Sequence, residues 1–86
     1  MQNEAGEKIY QLYCLVGDPA SVKAKLEMVS AGMPVEVHML PIKSEKIGVL
    51  DRKYGITRFP AVVRSMSRYQ GLVAVRSLIQ RWVNGS

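Results

Sequence analysis

The hydrophobic positions of the chain follow two periods, one typical of strands and one typical of helices. The run KIYQLYCLV at residues 8–16 is short, rich in aromatic and β-branched residues and almost continuously apolar, which predicts a buried central strand. In residues 34–42 apolar and polar residues alternate, which predicts a half-buried second strand. Its predicted inward positions are Val35, Val37 and Met39, and its outward positions are Glu36, His38 and Leu40. FPAVV (59–63) and RYQG (68–71), separated by the turn RSMS, predict a hairpin of two further strands.

The segment after the first strand carries the signals of a helix start. Gly17 permits a turn, Asp18 can cap free backbone N–H groups, and Pro19 suits the first helical position because it has no N–H. Gly32 is expected to end this helix in a left-handed conformation. The predicted apolar stripe of the helix consists of Val22, Leu26 and Val29.

Two more helices are predicted further along the chain. Ser44 can cap the second, and Gly55 stands where it is expected to end. Its shared face consists of Ile47, Leu50 and Tyr54. The stripe of the last helix consists of Leu72, Val75, Leu78, Ile79 and Trp82. Because Trp82 continues this stripe, we expect it to pack in the core rather than to stack on nucleic-acid bases.

The resulting order is β-α-β-α-β-β-α, which predicts an α/β fold with a mixed four-stranded sheet flanked by three helices. The first helix joins the first two strands as the right-handed crossover of a parallel pair. A chain of 86 residues has room for one domain. We therefore expect residues 1–86 to form a single domain, with residues 1–7 as a flexible N-terminus.

The positive charge of the chain is concentrated in its C-terminal half. The net charge is +5, and residues 43–86 carry nine Lys and Arg against two acidic residues. Such asymmetry is a signal for an anionic partner, such as nucleic acid or an acidic protein, but an ordinary solvated surface has the same composition. The candidates for a basic binding face are Arg52, Lys53, Arg64, Arg68, Arg76 and Arg81.

Several classes of protein and of site are disfavoured by what the sequence lacks. No apolar run approaches the ~20 residues of a membrane span, and the acidic N-terminus does not have the order of a signal peptide. The single Cys14 cannot form an internal disulfide, which agrees with a reducing compartment. We therefore expect a cytoplasmic protein without a membrane partner. No metal-ligand spacing, phosphate loop or catalytic triad is visible, so no cofactor or metal is expected, and the lone His38 is expected to make an ordinary hydrogen bond.

Two short segments, LYCLVGDPASVKAKL and YGITRFPAVV, resemble motifs of a known family. The first resembles the glutaredoxin stretch in which a strand runs into a Cys-Pro-x-Cys turn, and here the turn is residues 18–21, DPAS. The second resembles the thioredoxin segment whose cis-proline faces that turn, a position that Pro60 would hold. Over residues 8–83 the chain is similar in element order to the thioredoxin and glutaredoxin family, which implies a thioredoxin-like fold. A more limited likeness, confined to LY…G…P…SV and a Pro-Ala segment, is to the cysteine-independent interaction modules of the KaiB type.

The positions at which the chain differs from the family pattern determine which function the resemblance implies. Asp18 and Ser21 stand where the family has its attacking and resolving cysteines, and neither can perform a thiol step. Residues 58–59 are Arg-Phe where glutaredoxins have Thr-Val, and residues 70–71 are Gln-Gly where they have Gly-Gly. Glutathione binding is therefore left open, and Asp18 is expected to serve as a helix cap.

We expect a redox-inactive, non-catalytic module that binds another protein or a peptide in the former active-site groove. That groove would be lined by Asp18, Pro19, Ala20, Ser21, Arg58, Phe59 and Pro60. Phe59 is expected to be its apolar anchor and Arg58 its charged selector. Two alternatives stay open, a nucleic-acid or acidic-partner binder that uses the basic face and a single-thiol oxidoreductase that uses Cys14. A cysteine inside a buried strand is, however, expected to have a normal or raised pKa.

Overall fold

The structure, a computed structural model, describes residues 9–85, and its elements confirm the predicted order β-α-β-α-β-β-α. They are β1 (Tyr10–Leu15), α1 (Pro19–Ser30), β2 (Val35–Leu40), α2 (Glu45–Tyr54), β3 (Ala61–Arg64), β4 (Ser67–Gln70) and α3 (Leu72–Val83). The expected flexible N-terminus, residues 1–7, lies outside the described residues. None of the helices within residues 9–85 has the length and apolarity needed to cross a bilayer.

The four strands form one mixed sheet in the order β2-β1-β3-β4, which is consistent with a thioredoxin-like topology. β1 pairs in parallel with β2 and antiparallel with β3, and β3 pairs antiparallel with β4. The register places Tyr13 between His38 of β2 and Ala61 of β3. The carboxyl end of β1 and the residues that precede β3 therefore meet at the same end of the sheet.

Helices cover both faces of the sheet, and each face has its own core. On one face, α1 and α3 pack on the sheet around the first core, which consists of Tyr10, Leu12, Cys14, Ala24, Met28, Met33, Val62, Val75 and Leu78. On the other face lies the second core, which includes Leu50 of α2 and consists of Leu40, Leu50, Ile56, Ala61 and Val63. Because both faces are covered, the central strands supply apolar side chains in both directions, which explains the continuous apolar character of β1.

The predicted ends of α1 and α2 are found at the expected glycines. Ser44 Oγ accepts a hydrogen bond from the Lys46 N–H at 3.1 Å, which caps α2. Gly55 ends α2 with a φ of 71°, and Gly32 follows α1 with a φ of 76°. At both places the chain needs a left-handed residue, which glycine adopts without a steric cost.

The predicted buried stripe of α1 is wrong. Val22, Leu26 and Val29 are exposed, whereas the face turned to the sheet consists of Ser21, Ala24 and Met28. Two of these three inward side chains are small, and small side chains let the helix backbone approach the sheet closely. The Ser21 hydroxyl also bonds to the end of β1, so this face is fixed toward the sheet by a hydrogen bond as well as by packing.

The predicted faces of β2 and the burial of Trp82 also need correction. Leu40, expected on the outward face, is buried because that face of the sheet carries the second core, while Met39 is exposed at the sheet edge. Trp82 is 38% exposed. Its ring meets that of Tyr10 edge to face at 6.2 Å, and its Nε1–H donates to the Ala31 carbonyl at 3.0 Å. Trp82 thus covers the end of the first core rather than lying within it.

The orientation of α1 predicts very unequal effects for two large-to-small substitutions that are about 3 Å of helix rise apart. Met28→Ala removes a fully buried side chain and should lower the free energy of unfolding by about 2–5 kcal/mol. Leu26→Ala on the exposed stripe should change it by no more than about 0.5 kcal/mol. Urea unfolding of the two variants measures both values, and a larger loss for Leu26→Ala would mean that the stripe, not Met28, packs on the sheet.

Candidate functional site at the Asp18 turn and the Pro60 loop

The turn after β1 and the loop before β3 form the candidate site because the sheet register brings them to the same end. Tyr13 pairs with Ala61, so the next residues of β1 run toward the turn while Pro60 and Phe59 run back beside them. The Phe59–Pro60 peptide bond is cis, and Pro60 is fully buried. The Pro60 carbonyl accepts a hydrogen bond from the Gly71 N–H at 2.8 Å, which ties the loop to the start of α3.

Ser21 is the central residue of the turn. Its side chain is fully buried, and its Oγ accepts a hydrogen bond from the Leu15 N–H at 3.1 Å. The same hydroxyl donates to Asp18 Oδ2 at 2.9 Å. One hydroxyl therefore joins the end of β1, the turn and the first turn of α1, and it uses its donor and an acceptor position in doing so.

The expected role of Asp18 as a side-chain cap of α1 is not what the structure has. Asp18 occupies the N-cap position, but no backbone N–H bonds to its carboxylate. The carboxylate accepts from Ser21 instead, and only the Asp18 main-chain carbonyl accepts from the Val22 N–H, at 3.2 Å. Because the buried Ser21 hydroxyl needs an acceptor, the Asp18 carboxylate bonds to it and not to the backbone N–H groups at the start of α1.

Cys14 lies directly beneath this turn and is fully buried. Its Sγ–H donates to the Ser21 carbonyl at 3.7 Å. Burial raises the pKa of the Cys14 thiol, and the nearby Lys25 and the Ser21 hydrogen bond lower it by less. The thiol is thus protonated at neutral pH and out of reach of a substrate, which is unfavourable for a nucleophile.

The loop before Pro60 is held by the side chain of Gln70, a role that no sequence pattern predicts. Gln70 Oε1 accepts hydrogen bonds from the Thr57 and Arg58 N–H groups at 2.9 and 3.3 Å. Gln70 Nε2 donates to the Gly55 carbonyl at 3.3 Å. The Gln70 side chain on β4 therefore makes the hydrogen bonds to residues 55–58 that a neighbouring strand would otherwise make. This role depends on contacts between residues distant in the sequence, so it is visible only in the structure.

Phe59 and Arg58 differ in how much of each side chain is available. The Phe59 side chain is half-buried and packs against the second core, so it is only in part a free anchor. Arg58 is exposed, and no carboxylate within residues 9–85 lies close enough to form a salt bridge with it. Within the same residues, no backbone hydrogen bond involves the Phe59 N–H or carbonyl. The loop thus presents an arginine without a salt bridge beside an N–H and a carbonyl that make no backbone hydrogen bond within the described residues.

The six residues of the candidate basic face do not lie on one surface. Arg64 and Arg81 lie beside the rings of Tyr10 and Tyr69 on the α1 and α3 side of the sheet. Arg76 pairs with Glu27 through two hydrogen bonds of 3.0 and 2.8 Å, which lower the pKa of the Glu27 carboxyl.

The remaining basic residues belong to the opposite side of the molecule. Arg68 and Lys53 both lie over the Tyr54 ring, at 5.1 and 5.3 Å from its centre, and Arg52 is exposed on α2. The basic residues are therefore divided between the two faces of the sheet rather than aligned along one groove.

Comparisons of the chain with protein-family models, curated proteins and solved structures found no match. Within residues 9–85, no three His, Cys, Asp or Glu side chains are grouped so that they could hold a metal ion. The function of the site therefore has to be inferred from its geometry. That geometry combines a turn held by the Ser21 hydroxyl with a loop held by the Gln70 side chain.

Replacement of Ser21 tests the hydrogen-bond network of the turn. Ser21→Ala leaves the Leu15 N–H without its acceptor and should lower the free energy of unfolding by about 1–3 kcal/mol. Ser77→Ala, which removes an exposed hydroxyl from α3, is the matched control and should change it by at most about 0.5 kcal/mol. Equal effects in denaturant unfolding would contradict the network.

Alkylation of Cys14 tests its burial and its raised pKa. Iodoacetamide should modify the native protein at pH 7 at least about 100-fold more slowly than the denatured protein, because the reaction needs an opening of a domain stabilised by roughly 5–15 kcal/mol. Mass spectrometry of timed samples gives both rates. Native modification as fast as that of the denatured chain would place the thiol at the surface.

Proposed function

We propose that the protein is a non-catalytic, thioredoxin-like interaction module that binds an extended segment of another protein between the Asp18 turn and the Pro60 loop. The observation that carries the proposal is the unpaired backbone of Phe59, at the end of the sheet where the turn and the loop meet. An extended peptide can add to such a free N–H and carbonyl as an extra strand segment. The resemblance to the thioredoxin and glutaredoxin family supports the same location.

The chemistry of the turn supports binding rather than thiol exchange. Exchange needs an accessible thiolate, and a second thiol to resolve the mixed disulfide. The turn has a carboxylate and a hydroxyl that bond to each other, and the one thiol nearby is buried and protonated. A reducing, cytoplasmic location suits a protein whose single cysteine serves as a core residue.

The side chains around Phe59 suggest which segment would bind. Arg58 is exposed and has no salt bridge within residues 9–85, so it can pair bidentately with a carboxylate of the partner. The exposed part of Phe59 and the exposed Pro19 offer apolar contact beside it. The expected partner is an extended peptide with an acidic residue next to an apolar one.

The division of the basic residues makes the nucleic-acid alternative weaker. A protein that follows a phosphate backbone needs a continuous positive groove, often with aromatic side chains for stacking. The cations of this chain are split between two faces, and Arg76 is paired with Glu27. Acidic peptide segments, which need one cation rather than a row of them, are the better fit.

Substitution of Arg58 tests this proposal more cleanly than substitution of Phe59, which would also disturb the second core. Peptides selected from a random display library on the wild-type protein should bind Arg58→Glu about 10-fold more weakly, a loss of about 1.4 kcal/mol. Arg52→Glu makes the same charge change on exposed α2 and should alter the affinity less than twofold (~0.4 kcal/mol). Isothermal titration calorimetry measures all three affinities.

The site of binding is read in the same samples by NMR of the ¹⁵N-labelled protein. The amides of Phe59 and of residues 17–21 should shift most when peptide is added. Equal loss of affinity in both arginine variants, or shifts confined to other surfaces, would contradict binding at this groove.

A further inference from the structure

A second concave site lies on the other side of the sheet from α1 and α3. It is an open cavity of about 280 Å³ between the strands β1 and β2 and the helix α2. Its lining combines aromatic, apolar and basic side chains, namely Tyr13, His38, Leu40, Lys46, Val49, Leu50, Lys53 and Tyr54. None of the functional interpretations of the groove uses these residues.

The rings in this cavity are fixed in place before any ligand binds. Tyr13 and His38 are register partners on adjacent strands, and their rings stack with centres 4.7 Å apart and planes inclined by 17°. A 2.6 Å hydrogen bond joins His38 Nε2 to Gln11 Oε1 and sets the orientation of the imidazole. Tyr54 reaches the same cavity from α2. A planar ligand would therefore meet preformed aromatic surfaces, which reduces the entropy cost of binding.

Two charged side chains of the described residues line the cavity, and both are positive. Lys46 and Lys53 come from successive parts of α2, and no Asp or Glu within residues 9–85 lines the cavity. Neither lysine has a salt-bridge partner within residues 9–85. Lys53 Nζ lies 5.3 Å from the centre of the Tyr54 ring, and the Arg68 guanidinium lies 5.1 Å from the same centre, which adds positive charge beside a ring that lines the cavity. The Glu36 carboxylate acts on Tyr13 from the strand side, so the cations favour an anionic group at the α2 side of the cavity.

The hydroxyls of Tyr13 and Tyr54 add hydrogen-bond donors to this arrangement. Burial raises the pKa of Tyr13, and Tyr54 and Glu36 raise it further, so the Tyr13 hydroxyl stays protonated at neutral pH and can donate a hydrogen bond. Within the part of the chain that the structure describes, the Tyr13 and Tyr54 hydroxyls have no hydrogen-bond partner. Donors without acceptors around an apolar floor are typical of a small-molecule site.

We propose that this cavity binds a small aromatic anion, whose ring lies among Tyr13, His38 and Tyr54 and whose carboxylate or phosphate pairs with Lys46 and Lys53. The volume is near the lower end of the ~300–1,000 Å³ range of small-molecule pockets, so the ligand has one or two rings. None of the groove residues 18–21 and 58–60 lines this cavity, so the proposal of a small-molecule site does not depend on the proposed peptide binding.

The test uses three probes of the same ring size on the full-length protein. These are 2-naphthoate, 2-naphthyl phosphate and the uncharged 2-naphthamide, titrated into ¹⁵N-labelled protein by NMR. At least one of the two anions should bind about 10-fold more tightly than the amide, a difference of about 1.4 kcal/mol. The larger shifts should fall on the amides of Tyr13, His38 and the residues of α2. Whichever anion binds more tightly identifies the preferred charged group.

Variants of the lysines separate this site from general attraction by a basic protein. Lys46→Gln together with Lys53→Gln should abolish the preference for the anion. The matched control, Lys23→Gln with Lys25→Gln on exposed positions of α1, removes the same charge and should leave the preference unchanged. The proposal is overturned if the amide binds as tightly as both anions, if the two double variants behave alike, or if no probe shifts these amides. Peptide binding in the Arg58→Glu series is unaffected by any of these outcomes.

Discussion

The buried hydroxyl of Ser21 makes the contact on which the rest of the site depends. It accepts from the last residue of β1 and donates to the Asp18 carboxylate, so strand, turn and helix are joined at one point. The same contact fixes which side of α1 faces the sheet, since Ser21, Ala24 and Met28 lie on one helical face. A satisfied hydroxyl is tolerated in a core, whereas an unsatisfied one would cost about 1–3 kcal/mol. The turn is thus stabilised by the hydrogen bond between Ser21 and Asp18.

Much of the fold could be predicted from local signals in the sequence. The apolar run of β1, the cap at Ser44 and the glycine at position 55 each act through neighbouring residues, and the order of elements followed from them. The face of α1 could not be predicted in this way. Apolar spacing favoured Val22, Leu26 and Val29, but the close approach of helix to sheet requires small residues, and a hydrogen bond from β1 selects Ser21.

The sequence predicted which two segments lie at the same end of the sheet but not the hydrogen bonds within them. Residues 18–21 and 58–60 are brought to one end of the sheet, as the family resemblance implied, but Asp18 caps no backbone N–H and Phe59 is partly used by the core. The role of Gln70 and the aromatic cavity were missed for a common reason. Both depend on side chains from separate elements, 12 to 15 residues apart for the Gln70 bonds, and no spacing rule links them.

The groove and the cavity differ in the groups that they present. The groove at the end of the sheet offers a Phe59 N–H and carbonyl without a backbone hydrogen bond, and an arginine without a salt bridge within residues 9–85, which suits an extended acidic segment. The cavity under α2 offers fixed rings and two lysines, which suits a small anion. Between them lies the second core, against which Phe59 packs from the groove side and Tyr13 and Tyr54 from the cavity side. We therefore propose two recognition sites on one small domain, neither of which uses a thiol.

Amide hydrogen exchange at Phe59 measures most directly whether the Phe59 backbone accepts the proposed strand-like partner. The free protein should exchange this N–H rapidly, since no acceptor for it lies within residues 9–85. Saturation with a selected peptide should slow the exchange at Phe59 at least about 10-fold, because the amide gains an acceptor. An unchanged rate at Phe59, with protection appearing on another surface of the same complex, would contradict the account.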